Sequence, residues 1–369
     1  VADDVRGRRI AAMRGCDRLL SGVRPATVRE RLAELTAVAG PELMPDYYGD
    51  GLVGDLEERV ARLLGTPAAV YFPTGTMAQQ VALRYGAEVT GRRAVALHPL
   101  GHQEVHERRA YADLTGLRSV HPTTAPRNPT AAEIAALDEP VGTVVFELPL
   151  RDAGFVLPGW AELAEAAGVA RAAGARVHFD GARLWESAPY LGRGPAEIAG
   201  LADSTYVSFY KTLGGLSGAA VAGTDDFAGY ARAWRHRHGG QLFQQWPAVL
   251  SALAGIEREL PLVPEYVRHA RVVAAGLAKL PGAVVFPQPP HTHQFRLWLP
   301  HPAARLNQAT LALAEQEGVW FAGGWQDTEL PGHAMAEISV QGPALEWSAG
   351  DVLETGLRLL DRIQDRAAG

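Results

Sequence analysis

Lysine is scarce in this chain. Only Lys211 and Lys279 stand among 35 basic residues, so any chemistry that needs an amine has two positions to use. Lys211 lies in Tyr206-Val207-Ser208-Phe209-Tyr210-Lys211-Thr212-Leu213-Gly214-Gly215, after a run apolar enough to be a buried strand and before a glycine-rich loop. An amine at such a sheet edge is partly desolvated, which lowers its pKa and suits it to a Schiff base. Lys279 falls just before Leu280-Pro281-Gly282, where a cation complements a helix C-terminus, and it reads as structural. A second segment, Arg176-Val177-His178-Phe179-Asp180-Gly181-Ala182-Arg183, ends a buried strand in a carboxylate, the place where parallel sheets hold ligands. Arg183 can reach the same crevice, although the pair reads equally as a helix cap with its salt-bridge partner. The third is Phe72-Pro73-Thr74-Gly75-Thr76-Met77-Ala78. There a strand turns through glycine into a helix whose free N–H groups can receive a phosphate. By itself it is also an ordinary strand–turn–helix junction. Pyridoxal phosphate needs a phosphate cup, a carboxylate at its ring nitrogen and a Schiff-base lysine. Thr74–Thr76, Asp180 and Lys211 supply these in that order.

Elements that would carry these residues follow from hydrophobic patterning. Short strands are expected at Ala69–Phe72, Ala94–Leu97, Thr143–Leu148, Arg176–Asp180, Thr205–Phe209 and Ala219–Ala222. Helices are expected at Thr27–Ala37, Asp55–Leu64, Met77–Tyr85 and Trp160–Ala173, with one long helix from about Pro247 to Leu280. The alternation implies an α/β fold with a largely parallel sheet. After Pro281-Gly282 the rhythm changes: strands at Val284–Phe286, Gln294–Leu299, Val319–Phe321 and Ala336–Val340, and helices at Ala304–Gln316 and Ala349–Arg366, suggest a smaller α+β domain. The expected division is thus 1–281, an N-terminal segment with a large domain, and 282–369.

Composition narrows the classes. The chain has 369 residues, 47% of them hydrophobic and 21% charged, which fits a folded globular protein rather than a disordered one. A net charge of −6 disfavours a nucleic-acid or acidic-membrane binder. The single cysteine, Cys16, cannot build a disulfide framework or a cysteine zinc cluster. No apolar run reaches membrane-spanning length, and the first residues do not read as a signal peptide. A cytoplasmic location is expected.

Together with Tyr48-Gly49-Asp50-Gly51, Leu56-Glu57-Glu58-Arg59-Val60-Ala61 and Pro73-Thr74-Gly75-Thr76, the run His178-Phe179-Asp180-Gly181-Ala182-Arg183-Leu184 and the lysine 31 residues after its Asp carry a resemblance over nearly the whole chain. The sequence resembles the threonine aldolase and β-eliminating lyase family of fold-type-I pyridoxal phosphate enzymes. The resemblance implies Lys211 as the Schiff-base lysine, Asp180 at the pyridine nitrogen, and Gly75 and Thr76 on the phosphate. It further implies Arg183 at the cofactor's phenolate oxygen or the substrate carboxylate. Ser208, three residues before the lysine, is a further phosphate candidate. A histidine five residues before a glutamate stacks on the cofactor ring in that family, and His102 stands five before Glu107 here. A homodimer or homotetramer acting on a small amino acid is implied as well.

A zinc site on His102 and His106 is the competing reading, but Gln103 occupies the place where a zincin needs Glu, and no metal is expected. The basic–aromatic run Arg232-Ala233-Trp234-Arg235-His236-Arg237-His238-Gly239-Gly240 suggests a subunit interface near the cofactor more than a grip on nucleic acid. His291 and His293 read as ordinary surface or subsite residues.

The family pattern is not complete. Glu147-Leu148-Pro149-Leu150-Arg151 places Leu150 where the family carries a histidine near the substrate β-hydroxyl. Glu337 falls near the place of a substrate-binding arginine, where it would repel a carboxylate. Arg151 and Arg183 remain as possible carboxylate clamps. The expected reaction is reversible Cα–Cβ cleavage of a β-hydroxy-α-amino acid to glycine and an aldehyde, weak on plain threonine. β-Elimination is the alternative reaction, and a pyridoxal-phosphate-fold binding protein without turnover the alternative class.

Overall fold

The computed structural model describes residues 2–364, with side chains described for 6–363. The chain divides into two compact units, one of residues 34–261 and one of residues 1–33 with 262–369.

The 34–261 unit is built on seven strands: β1 (Ala68–Phe72), β2 (Ala94–Ala96), β3 (Arg118–Val120), β4 (Thr143–Glu147), β5 (Arg176–Gly181), β6 (Ser204–Ser208) and β7 (Ala219–Gly223). Their order across the sheet is β1-β7-β6-β5-β4-β2-β3. β7 runs antiparallel to both of its neighbours, and the other adjacent pairs are parallel. Every residue of β4, β6 and β7 is buried, as expected for strands covered on both faces, and this explains why they read as continuous apolar runs. Each expected strand forms within a residue or two of its expected bounds. β3 was not anticipated; its Arg118-Ser119-Val120 sequence has too short an apolar run to be recognised.

Five helices matter for the site. They are α1 (Leu52–Leu64), α2 (Gly75–Thr90), the short α3 (His102–Val105), α4 (Leu184–Leu191) and α5 (Asp225–Arg237). α2 and α5 pack on β1 and β7 through Val81, Phe227, Val70, Phe72 and Val221. α5 contains most of the basic–aromatic run. Its Arg235 is buried and bonds Glu57 Oε1 at 2.8 Å and the Tyr71 carbonyl at 2.9 Å, while Arg232 reaches Glu57 Oε2 at 3.1 Å. Trp234 lies between the guanidinium groups of Arg84, 3.6 Å from its ring centre, and Arg237, 4.7 Å away. Arg232 and Arg235 thus hold α5 to α1 and β1 and are not free basic groups, whereas Arg237 is exposed.

The second unit contains a four-stranded antiparallel sheet. Its strands lie in the order Gln326–Asp327, Ala334–Ser339, Gln294–Leu299, Val284–Phe286. Alternate residues Phe295, Leu297, Leu299, Ala334, Ala336 and Ile338 face the core, the period of a sheet wet on one side. Glu337 lies directly across from Arg296, with Nη2 to Oε1 at 3.6 Å. The sequence reading did not anticipate this pairing of Glu337 with Arg296. His293 is 1% exposed, which corrects its reading as a surface residue.

Two further expectations are corrected. The division lies at Leu262, not at 281/282, and the first 33 residues belong with the C-terminal unit. Arg18–Leu19 pairs in parallel with Val319–Trp320, and Cys16 packs among Leu19, Ala314 and Trp320. The expected Pro247–Leu280 helix is two helices, Trp246–Glu259 and Val263–Leu277, separated by a 3-10 turn at Leu260–Leu262. Pro261 and Pro264 lack the N–H that a continuous helix needs there. The last helix runs Ala349–Gln364, and the final two residues of its expected span lie outside the described residues.

Candidate active site

The carboxyl ends of β4, β5 and β6 lie side by side, and each delivers a polar group. Glu147 ends β4, Asp180 is one residue from the end of β5, and Ser208 ends β6. Glu147 and Asp180 are register partners. This carboxyl edge is where open α/β sheets place ligands.

Asp180 is buried and fixed from two sides. Gln103 Nε2 donates to Oδ2 at 2.8 Å, and the Ala182 amide donates to Oδ1 at 3.2 Å. Gly181 makes the exit possible, because a Cβ there would meet the Tyr206 carbonyl and Leu184. Burial raises the pKa of Asp180, against the lowering effect of His102. Burial also raises Glu147, and Asp180 adds to it. Two carboxylates so close in a dry site resist being ionised together.

His102 opens α3. Its amide donates to Glu147 Oε2 at 2.9 Å, and its Nδ1 meets Glu107 Oε1 at 3.1 Å. Burial alone would lower its pKa, but Glu107, Asp180 and Glu147 together outweigh burial and raise it. Gln80 Nε2 completes the support of Glu107 at 3.4 Å. The His102–Glu107 spacing noticed in the sequence is thus a direct contact.

Lys211 follows β6 on a tight loop in which the Gly214 amide bonds the Lys211 carbonyl at 3.1 Å. Its Nζ lies 4.7 Å from the centre of the Tyr210 ring. Burial, then Arg183 and Arg151, lower its pKa to about 8, against the opposing pull of Asp180 and Glu147. Lys279, in contrast, is exposed beyond the end of the Val263–Leu277 helix. Arg183 is 8% exposed and caps α4, its guanidinium 5.4 Å from the Phe155 ring centre; Arg151 approaches the same ring at 6.0 Å.

Thr74 caps α2, its hydroxyl accepting from the Met77 amide at 3.4 Å. The amides of Gly75 and Thr76 point out of the first turn, as helix N-termini require. Gly75 allows this turn to close on Tyr206, whose hydroxyl stands where a Cβ would be. Tyr206 in turn interacts with Tyr210, beside Lys211, which joins the α2 turn to the lysine loop. Ser208 Oγ is buried without a well-formed hydrogen bond to the protein.

Lys211, Asp180, His102 and Arg183 therefore converge, with Thr74, Gly75, Thr76 and Ser208 at the adjoining edge. Glu147, Gln103 and Tyr206 had no assigned role in the sequence reading. Glu147 carried the same signal as Asp180, a carboxylate ending a buried strand. Gln103 and Tyr206 carried none. The two histidines taken as a zinc alternative have other partners: His106 Nε2 meets Asp152 Oδ2 at 2.6 Å and His102 holds Glu107. Among the described residues no three His, Cys, Asp or Glu side chains are placed to hold a metal. Leu150 is fully buried, packed with Leu100, Ala153 and Val156.

The Beta-eliminating lyase family model matches residues 26–298. The chain belongs to this family. Among curated relatives it is 27% identical to low-specificity L-threonine aldolase 1 of Arabidopsis thaliana over 67% of this chain and 72% of that protein. It is 30% identical to the low specificity L-threonine aldolase of Escherichia coli K12, over 62% and 69% of the two chains. Among solved structures, a protein of Exiguobacterium sp. 255-15, provisionally named an aromatic amino acid beta-eliminating lyase/threonine aldolase, superposes with a TM-score of 0.89. It is 36% identical, with 96% of this chain and 99% of that chain covered. A provisionally named L-allo-threonine aldolase of Listeria monocytogenes EGD-E gives 0.89 and 34%, over 97% and 99%. Beta-eliminating lyases are pyridoxal-phosphate-dependent, and this site fits that cofactor. It offers a half-buried amine, a buried and doubly anchored carboxylate, a helix N-terminus capped by Thr74, and a buried Ser208 hydroxyl without a well-formed hydrogen bond to the protein. Among the described residues no helix is long and apolar enough to cross a membrane.

Proposed function

We propose that this beta-eliminating lyase cleaves, and in reverse forms, the Cα–Cβ bond of a β-hydroxy-α-amino acid, giving glycine and an aldehyde. The observation that carries the reading is the convergence of Lys211, with its depressed pKa, on the Asp180–His102 cluster at the sheet edge. The threonine aldolase names of its relatives support the choice of bond.

Lys211 holds the cofactor covalently. Asp180, kept in place by Gln103 and the Ala182 amide, keeps the ring nitrogen protonated. The Gly75 and Thr76 amides, with Thr74 and Ser208, receive the phosphate. His102 offers its ring face, and Arg183 holds either the phenolate oxygen or the substrate carboxylate. When bound, pyridoxal phosphate supplies an electron sink that makes the bonds at the substrate Cα labile.

A second reading, β-elimination of a leaving group, is favoured by one observation. Leu150 is apolar and buried, so its position brings no base to a β-hydroxyl. Incubation with threonine and phenylserine separates the readings. Glycine plus aldehyde marks cleavage, whereas ammonia plus a keto acid marks elimination. No product from any amino acid would leave a binding protein. Phenylserine is expected to be cleaved faster than threonine.

Assembly and compartment belong to the same proposal. Met44, Tyr47, Tyr48, Leu242 and Phe243 form an exposed apolar group in which both tyrosine rings meet Phe243 edge-on at 5.4 Å. Such a surface suits a second copy of the chain, and sedimentation should give a homodimer or homotetramer. Cys16, free and buried, suits a reducing cytoplasm.

A further inference from the structure

Retro-aldol cleavage needs a group to take the proton from the β-hydroxyl. Leu150 cannot, and His102 is poorly suited: its Nδ1 is engaged by Glu107, and the surrounding carboxylates favour its protonated form. His106, one turn beyond His102, has a different arrangement. Its ring centre is 5.2 Å from that of His102. Its Nε2 lies 2.6 Å from Asp152 Oδ2, on the loop that follows β4. Arg151 Nη1 donates to the other oxygen of Asp152, Oδ1, at 3.0 Å, and Arg151 is near enough to Lys211 to lower its pKa. His106 is thus linked to the site from both sides, through His102 and through Arg151.

The 2.6 Å contact decides the tautomer. A carboxylate can only accept, so the 2.6 Å contact with Asp152 calls for the proton on Nε2 and outweighs the longer 3.3 Å approach of Arg151 Nη1 to that nitrogen; Nδ1 then carries the lone pair. An imidazole oriented by a carboxylate through one nitrogen, with the other free to accept, is the recurring arrangement of a general base.

Resting on the aldol reading above, we propose that the His106–Asp152 pair is the proton acceptor for the substrate β-hydroxyl. The O–H bond breaks and its proton passes to His106 Nδ1. The oxygen's electron pair closes the aldehyde C=O while the Cα–Cβ pair stays with the glycine carbon. The proton then returns to that carbon, so cleavage consumes no co-reactant. Asp152 is a positioning residue that fixes the tautomer.

The tautomer is measured by 15N NMR of His106 in the protein without substrate. Nε2–H in the wild type, lost in Asp152→Ala, is expected; an Nδ1–H tautomer in the wild type overturns the proposal. With phenylserine, His106→Gln should lower kcat about 10²- to 10³-fold and leave KM within about threefold. The His106 side chain is 38% exposed, so the variant should fold and exogenous imidazole should partly restore His106→Ala. An active wild type beside an equally active His106→Gln, or a change confined to KM, overturns the role of His106 alone. A wild type that releases no glycine overturns the reading of the reaction, and this role with it.

Discussion

Glu147 and Asp180 stand opposite each other on adjacent parallel strands, both buried, and each is bound to α3. The His102 amide reaches Glu147, and the Gln103 side chain reaches Asp180. Two consecutive residues of one short helix therefore bridge two carboxylates that the sheet forces together. The cluster is costly without a cation, and that cost is what a protonated cofactor ring would relieve.

The pair gives the protein without cofactor a pH signature. Both carboxyls are raised, so the folded state holds protons that the unfolded chain releases. Their contribution to stability is present below the ordinary carboxylate range and is lost as pH rises through the folded-state values. Asp180→Asn removes the like-charge neighbour, and the decline in Tm from pH 4 upward should be shallower than in the wild type. Parallel Tm–pH curves for the two proteins would refute the coupling.

Lys211 should capture pyridoxal phosphate with a pH midpoint near its lowered value of about 8, instead of the roughly 10.4 of a free lysine. The rate of appearance of visible absorbance, followed from pH 6 to 10, measures it. Borohydride should then fix the adduct on Lys211. An adduct mapped to Lys279 would place the site elsewhere.

His102→Ala should weaken cofactor affinity or turnover without unfolding the chain, while His102→Phe should recover part of the affinity, because a flat ring remains. Equal affinities for the two variants, by absorbance titration, would count against stacking.

Gly75→Ala should destabilise the unit by about 2 kcal/mol, the order expected of an overpacked core, because the new methyl meets Tyr206 Oη. Tyr206→Phe removes that oxygen, so the double variant should be more stable than the two single losses added together. Strict additivity in urea unfolding would show that the helix turn relaxes by another route.

Glu57→Gln leaves Arg235 buried with a weakened partner, and a loss of about 3 kcal/mol is expected. The midpoint of denaturation should fall while catalysis in the folded fraction persists. An unchanged midpoint would mean that Tyr71 alone satisfies the guanidinium.

Much of this protein could be read along the chain. The scarcity of lysine singled out Lys211, strand ends pointed to Asp180 and Thr74–Thr76, and the family resemblance, not the local pattern, pointed to His102 and Glu107. The strand-end signals are local: burial of a strand and the start of a helix are each encoded within a few neighbouring residues. Sequence alone determined the order of the segments proposed to hold the cofactor. What tertiary structure decided was who meets whom across the sheet. Gln103 and Asp180 are 77 residues apart, and His106 reaches Asp152 across 46. Crossovers between parallel strands bring such pairs together, and no periodicity records them. The same holds for Arg235, whose charge reads as surface until Glu57 is found beside it, and for Arg18–Leu19, whose strand partner lies near the other end of the chain. Local patterning selects elements, but long-range pairing is set by which faces must be buried together, and that is settled only when the whole chain has packed.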